Sequence, residues 1–278
     1  PLLFHCRCSV FGIDQVDTVN QTFHADFYVE LRLRGMLTFD DKSVGLAVMQ
    51  GFGLSHGMVD FLNVAEVVQE KEVWDGTAEG MSPDRLVYVI KLRQKLRFNE
   101  KMELENFPYD IQEMNLPLTF NAASSRVRLH HNVQYPSLFF HKQFQLSSVY
   151  NVVYGGTTLA VLSQSDPRES SASMVYPRCT FKVLLERKAG YYVSNVVIPL
   201  AVLTLLGPLS NAVEADGSAL GTGDRLSVTL TLILTAVAYK FVVAASLPQV
   251  SYLTLLDLHV LACFAFLVVN AVENVVYP

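Results

Sequence analysis

The chain has 278 residues, is 51% hydrophobic, and sets 21 Lys and Arg against 26 Asp and Glu, a net charge of −5. That balance leaves no basic patch, which argues against nucleic acid as a partner. The charge is also uneven: from Ala189 onward only Glu214, Asp216, Asp224, Arg225, Lys240, Asp257 and Glu273 are ionised, which excludes two ordinary soluble domains and points to a β domain followed by a membrane part.

The four cysteines, Cys6, Cys8, Cys179 and Cys263, have no CxxC or Cys/His spacing suited to zinc, and neither a metal nor a cofactor is expected. Cys6 and Cys8, two apart on a predicted strand, share a face and read as small buried hydrophobes, with a metal or redox role as the alternative. No charged segment followed by an apolar one opens the chain, so any signal peptide is expected to have been removed.

From Leu2 to Arg187 the pattern is strand after strand. The run from Ala25 to Arg34 alternates apolar and polar, and the run from Leu86 to Arg93 is β-rich before a looser continuation. Turn signals at Gly35, Ser82-Pro83-Asp84, Tyr135-Pro136-Ser137, Gly155-Gly156 and Asp166-Pro167 separate the strands. Short strands with polar turns predict a β-sandwich over 1–188. Three apolar stretches follow, at about 191–209, 226–247 and 251–272, each near the roughly 20 residues that cross a bilayer, so 189–278 is expected to be a helical transmembrane domain.

Three motifs carry a family likeness. Phe107-Pro108-Tyr109-Asp110 is by itself only a turn; Arg187 to Pro199 joins the two halves; Gly223-Asp224-Arg225-Leu226 opens the second apolar stretch. In this order they resemble the signature loop, the start of the first membrane helix and the start of the pore helix of pentameric ligand-gated ion channels, the Cys-loop receptor superfamily. The resemblance implies a subunit that joins four further copies of the same or a similar chain in a lipid bilayer, in the cell membrane with the large N-terminal domain outside. Its function would be a ligand-gated pore for monovalent cations, opened by a small-molecule agonist the sequence does not name, and not an enzyme. A non-conducting membrane-anchored receptor or adhesion subunit is the alternative. Two departures stand out. The cysteines that bracket the signature loop are replaced by Glu100 and Met114, so its disulfide is absent, and the family's fourth membrane helix has no counterpart before Pro278.

The resemblance assigns gating coupling to Phe107, Pro108, Tyr109 and Asp110, to Arg187, and to Pro248 in the connector after the pore helix. A guanidinium such as Arg187 takes carboxylates in a fork. Asp110 is its first candidate partner and Asp14 or Asp17 the second. Asp224 would form a carboxylate ring at the inner mouth, although an aspartate there is also an ordinary helix cap. Ser227, Thr231, Leu234, Ala238, Phe241 or Val242, and Ala245 recur at helical spacing, hydroxyls at one end and apolar groups above. They suit a pore face with Leu234 as its hydrophobic restriction, or alternatively helix packing. For the agonist site, which family members build between neighbouring subunits, Tyr28 and Tyr176 are the candidates. No counterpart exists for the aromatic-box tryptophans, so a cation–π cage is not expected. Helix geometry alone places Lys240, eight residues before Pro248, level with Asp257, eight after Gln249, and predicts an ion pair within the membrane.

Overall fold

The computed structural model describes residues 2–33, 56–79, 86–132, 135–140, 144–153, 160–170, 173–211, 221–244 and 250–276. Ala245 and Pro248, and the turns at Gly35, 82–84 and 155–156, lie outside them. The chain divides into two compact units: 1–17 with 21–101 and 112–185, and 18–20 with 102–111 and 186–278. The segment around Phe107-Pro108-Tyr109-Asp110 thus packs with the helices, although it lies within the stretch expected to form the sandwich.

The first unit is a β-sandwich. In chain order its strands are β1 (Leu2–Asp17), β2 (Thr22–Leu33), β3 (Val59–Phe61), β4 (Val64–Glu79), β5 (Leu86–Asn99), β6 (Ile111–Phe120), β7 (Val127–His131), β8 (Leu138–Phe139), β9 (Tyr150–Val152), β10 (Ala160–Gln164) and β11 (Pro177–Arg187). One sheet runs β4-β5-β2-β1-β7 with β8 also on β1; the other runs β10-β11-β6-β3 with β9 also on β11. Period-2 alternation buries Phe4, Cys6, Cys8 and Val10 of β1, and Phe23, Ala25, Phe27, Val29 and Leu31 of β2. Phe4 packs on Phe120 of the opposite sheet with ring centroids 5.3 Å apart, and Phe27 meets Phe61 edge-on at 5.0 Å. The stretch after Arg93 is not loose: β5 continues to Asn99, because Leu96 and Phe98 keep the inward alternation and pair with Ala25 and Phe23.

The second unit holds three helices, α1 (Gly190–Asn211), α2 (Thr222–Ala244) and α3 (Leu255–Val276), each long and apolar enough to span a membrane. Within α1, Val193–Val197 forms a wide π turn just before Pro199. Proline has no N–H to return to the carbonyl four residues earlier, and its ring crowds that carbonyl, so the ladder opens there. Leu200 of α1, Leu232 and Ala236 of α2, and Val260, Cys263 and Leu267 of α3 form the shared core.

Candidate functional site

β11 explains why Arg187 points inward. Pro177, Cys179, Phe181, Val183 and Leu185 are its buried register, and the next step of two is Arg187. A buried guanidinium without a partner costs several kcal/mol, so a carboxylate is needed at that spot. Asp110 supplies it: Arg187 Nε donates to Oδ1 at 2.8 Å and Nη2 to Oδ2 at 3.2 Å, with both side chains almost fully buried. The backbone reinforces the fork, Arg187 N–H donating to Asp110 O at 3.0 Å, and the guanidinium lies 5.0 Å from the Phe107 ring centroid. Asp14 has different company. Its carboxylate accepts from Lys95 Nζ at 2.7 Å and lies 3.9 Å from the His24 ring, whose pKa burial lowers against the pull of Asp14. Asp17 closes β1 opposite Thr22.

The loop that carries Asp110 also caps the helices. The first N–H groups of a helix have no internal acceptor. At α3 two loop carbonyls take that part: Leu255 N–H donates to Glu105 O at 2.9 Å and Leu256 N–H to Phe107 O at 3.1 Å. Tyr252 Oη accepts from Leu104 N–H at 3.0 Å. Leu104 and Phe107 form one buried cluster with Val196 of α1 and Leu256 of α3, and the Phe107 ring meets Tyr192 edge-on at 4.6 Å. Pro108 follows a cis bond after Phe107, and Tyr109, which stands exposed, donates its backbone N–H to Asn106 O. Leu104, Glu105, Tyr252 and Leu256 were not singled out from sequence: capping by the carbonyls of Glu105 and Phe107 leaves no side-chain signature, and the Tyr252 hydroxyl meets a backbone N–H remote in sequence.

Glu100 and Met114, which stand where the bracketing cysteines would be, take different roles. Met114 is buried, while the Glu100 carboxylate accepts from Asn115 N–H and from Asn115 Nδ2, both at 3.1 Å. Two hydrogen bonds thus tie the end of β5 to β6 where a covalent bridge is missing. Burial raises the Glu100 pKa, with the Asn115 bonds opposing.

On α2 the anticipated stripe is one continuous exposed face. Asp224, Ser227, Thr231, Ala238 and Val242 are exposed, and Leu234 and Phe241 reach 70% and 71%. The opposite face is Arg225, Thr229, Leu232 and Ala236, all buried. Thr231 and Thr235 return their hydroxyls to the carbonyls of Ser227 and Thr231 at 2.8 and 2.9 Å. Arg225 follows Asp224 in sequence yet lies on the buried side, so the two charges at the start of α2 part company.

The Lys240–Asp257 pair does not form. Asp257 accepts from Thr254 N–H at 3.1 Å and Thr254 Oγ1 at 2.8 Å, while Asp257 N–H donates back to Thr254 Oγ1 at 3.1 Å. This is a capping box, and it starts α3 at Leu255 rather than 251. Asp257 therefore sits in the first turn, not two turns into the helix, and among the described residues no ion pair joins it to the exposed Lys240. The signal was in the sequence as Thr254-Leu255-Leu256-Asp257.

Tyr28 and Tyr176 lie in separate surroundings within the sandwich. Tyr28 donates its hydroxyl to Glu30 Oε2 at 2.9 Å beneath Arg7, whose guanidinium carbon is 5.8 Å from the ring centroid. Arg7 and Arg32 both engage Glu30, and both lie 5.2 Å from the Tyr135 ring. Burial alone would raise the Glu30 pKa; the bonds from Arg32 and Tyr28 and the two guanidinium charges outweigh it and hold it below the usual range. Tyr176, tied to Ser165 through both backbone groups, lines a cavity of about 640 Å³ with Met58, Arg126 and Met174.

The three helices of membrane length, the exposed stripe of α2 and the loop held by the Arg187–Asp110 fork are the features on which the family resemblance rests, and comparison with known proteins points to the same family. The chain is 27% identical over 116 residues to a gamma-aminobutyric acid receptor subunit beta-like protein of Drosophila melanogaster, covering 42% of this chain and 23% of the relative. It is 27% identical over 175 residues to pH-sensitive chloride channel 2 of Drosophila melanogaster, 62% and 32% of the two. Neuronal acetylcholine receptor subunit alpha-10 of Rattus norvegicus is 31% identical over 87 residues, 31% and 18% of the two. The chain's homologues are thus subunits of the pentameric ligand-gated ion channel superfamily. No family model matches the chain, and it spans a third or less of these relatives' own length. Relatedness leaves the sign of the permeant ion open, because a chloride channel is among the relatives.

Proposed function

We propose that the chain is a subunit of a pentameric, ligand-gated, cation-selective channel, set in the cell membrane with the sandwich outside and the α2 helices of five subunits lining the pore. The observation that carries this reading is the α2 stripe: within one subunit Leu232 and Ala236 of the opposite face pack with α1 and α3, while Asp224, Ser227, Thr231, Leu234, Ala238 and Phe241 are exposed. Five such faces around an axis give a carboxylate ring, two hydroxyl rings and a Leu234 constriction that closes by dewetting. The burial of Arg225 supports cations, since it removes the neighbouring positive charge from the mouth.

Coupling follows from the loop. An agonist-driven shift carried along β5 and β6 would pull on the carbonyls of Glu105 and Phe107, hence on the start of α3, and on Tyr192 at the start of α1. Asp110 and Arg187 keep the loop in place during that movement. Tyr28 and Tyr176, lying apart in one subunit, suit contributions to two different subunit interfaces.

The test is the reversal potential of agonist- or proton-evoked currents in asymmetric salt, together with unitary recording in a planar bilayer. Asp224→Ala is expected to lower the cation-to-anion permeability ratio, and Leu234→Ser to raise resting current by wetting the closed pore. An unchanged reversal potential in the Asp224 variant at normal expression removes Asp224 from selectivity. A wild-type reversal at the chloride potential replaces cations with anions as the cargo.

A further inference from the structure

β1 and β11 belong to different sheets, and their inward registers bring three thiols into the core of the sandwich. Cys6, Cys8 and Cys179 are each at most 2% exposed, and all are free. Cys6 Sγ touches Cys179 Sγ at 3.4 Å across the interior, 173 residues away in sequence, and its S–H also reaches His130 O at 3.2 Å. A disulfide needs sulfurs about 2.0 Å apart, with side chains already aimed at each other across a short Cβ–Cβ gap. At 3.4 Å the two sulfurs already touch, so bonding requires them to close by about 1.4 Å. Cys8 lies two residues along β1, roughly 6.6 Å further on at strand spacing, so Cys6 is the partner in contact.

We propose that Cys6 and Cys179 are a disulfide-forming pair that staples the two sheets of the sandwich, oxidised by thiol–disulfide exchange with a small-molecule or protein disulfide. The proposal rests on the sandwich being extracellular, where such bonds form and persist. The Cys6 thiolate attacks the donor's S–S bond, making a mixed disulfide and releasing one donor thiolate. The Cys179 thiolate then attacks the Cys6 sulfur and releases the second. The two protons end on the two donor thiols, the protein loses two electrons and the donor gains them. In the folded sandwich the contact with Cys6 and then burial raise the Cys179 pKa, and burial and then Cys6 raise that of Cys8. Thiolates are therefore scarce once the core has closed, which assigns the exchange to the period before the sheets seal and leaves Cys8 reduced. This bridge is distinct from the family's loop disulfide, whose positions carry Glu100 and Met114.

The test counts thiols in the full chain purified from secretory-pathway cells, denatured in alkylating reagent with and without prior reduction. Two adducts without reduction and four with it are expected, together with a linked peptide containing Cys6 and Cys179. Cys8→Ser should then show one adduct unreduced and three reduced; three adducts unreduced would mean that Cys8 is the true partner and would overturn the assignment. Labelling of intact cells with a membrane-impermeant amine reagent decides the location separately. Four adducts in protein whose sandwich is labelled from outside overturn the pair. If the sandwich is not labelled, the location reading fails instead, and refolding of denatured, reduced protein in a glutathione disulfide buffer decides the pair alone: a Cys6–Cys179 peptide sustains it, and four thiols or glutathione adducts refute it.

Discussion

In the sandwich, rings such as Phe23 and Phe98 stack inside while Lys71–Asp26 and Lys95–Asp14 pairs run along the outer faces; in the helical unit Leu205 and Val269 stand exposed while Thr229 and Asn274 are fully buried. Both units must hydrogen-bond every backbone group they bury. The first does so with sheet ladders in water, where apolar area is driven inward. The second does so within each helix, so its outer surface is free to be apolar, and its interior gains specificity from polar contacts instead. Asn274 Nδ2 is the centre of that interior, donating to Ser210 Oγ and Thr229 Oγ1, both at 2.9 Å, and so joining all three helices. Gly207 permits the approach: a Cβ there would lie 2.8 Å from Asn270 Nδ2 and 3.2 Å from Leu267 Cδ2.

The contrast breaks most sharply at Arg187, a charge buried on a strand register that otherwise carries apolar groups. Arg187→Gln or Asp110→Asn alone should cost about 3 to 5 kcal/mol through the charge left unpaired. A double-mutant cycle read by thermal melting and by agonist-evoked current is expected to be strongly non-additive; additivity within about 0.5 kcal/mol would separate the two residues. Gly207→Ala tests whether the helices truly pack backbone to side chain, and should destabilise by about 1 to 3 kcal/mol because Asn270 is held by its neighbours and yields poorly. A melting temperature equal to wild type would show that α1 shifts freely.

Asn274→Leu exchanges the polar centre for an apolar one of similar size. Membrane hydrogen bonds are modest, so a loss of about 0.6 to 1.7 kcal/mol is expected, measured as subunit stability in detergent. A gain would show that the polar contacts set specificity at the expense of stability. The smallest effect belongs to the sandwich. Glu30 has a folded pKa below the ordinary 4.5, so its contribution is complete above the unfolded carboxylate's pKa and is lost as pH falls through the folded value. Melting temperatures of wild type and Glu30→Gln should therefore differ near neutrality and converge on acidification; a constant difference would remove Glu30 as the source.

The legible part of the fold was periodic. The β2 alternation, the three apolar spans and the exposed α2 stripe all follow from repeats of two or 3.6 residues, which are properties of neighbouring positions. The Arg187–Asp110 fork was legible only as one of several pairings, because charge says that a partner is needed and not which carboxylate the chain delivers. The start of α3 was expected at 251, four residues before Leu255, because the apolar residues from Tyr252 onward outweighed the capping box at Thr254 and Asp257.

By itself the sequence determined a β domain followed by three membrane-length helices and the residue types at each face, since periodicity and hydropathy act along the chain. Tertiary structure decided the rest: that loop carbonyls of Glu105 and Phe107 cap α3, that the Glu100 carboxylate bonds Asn115 of β6, and that Cys6 meets Cys179. These contacts join residues remote in sequence through backbone groups every residue shares, or through side chains whose partners are chosen only when strands and helices come together.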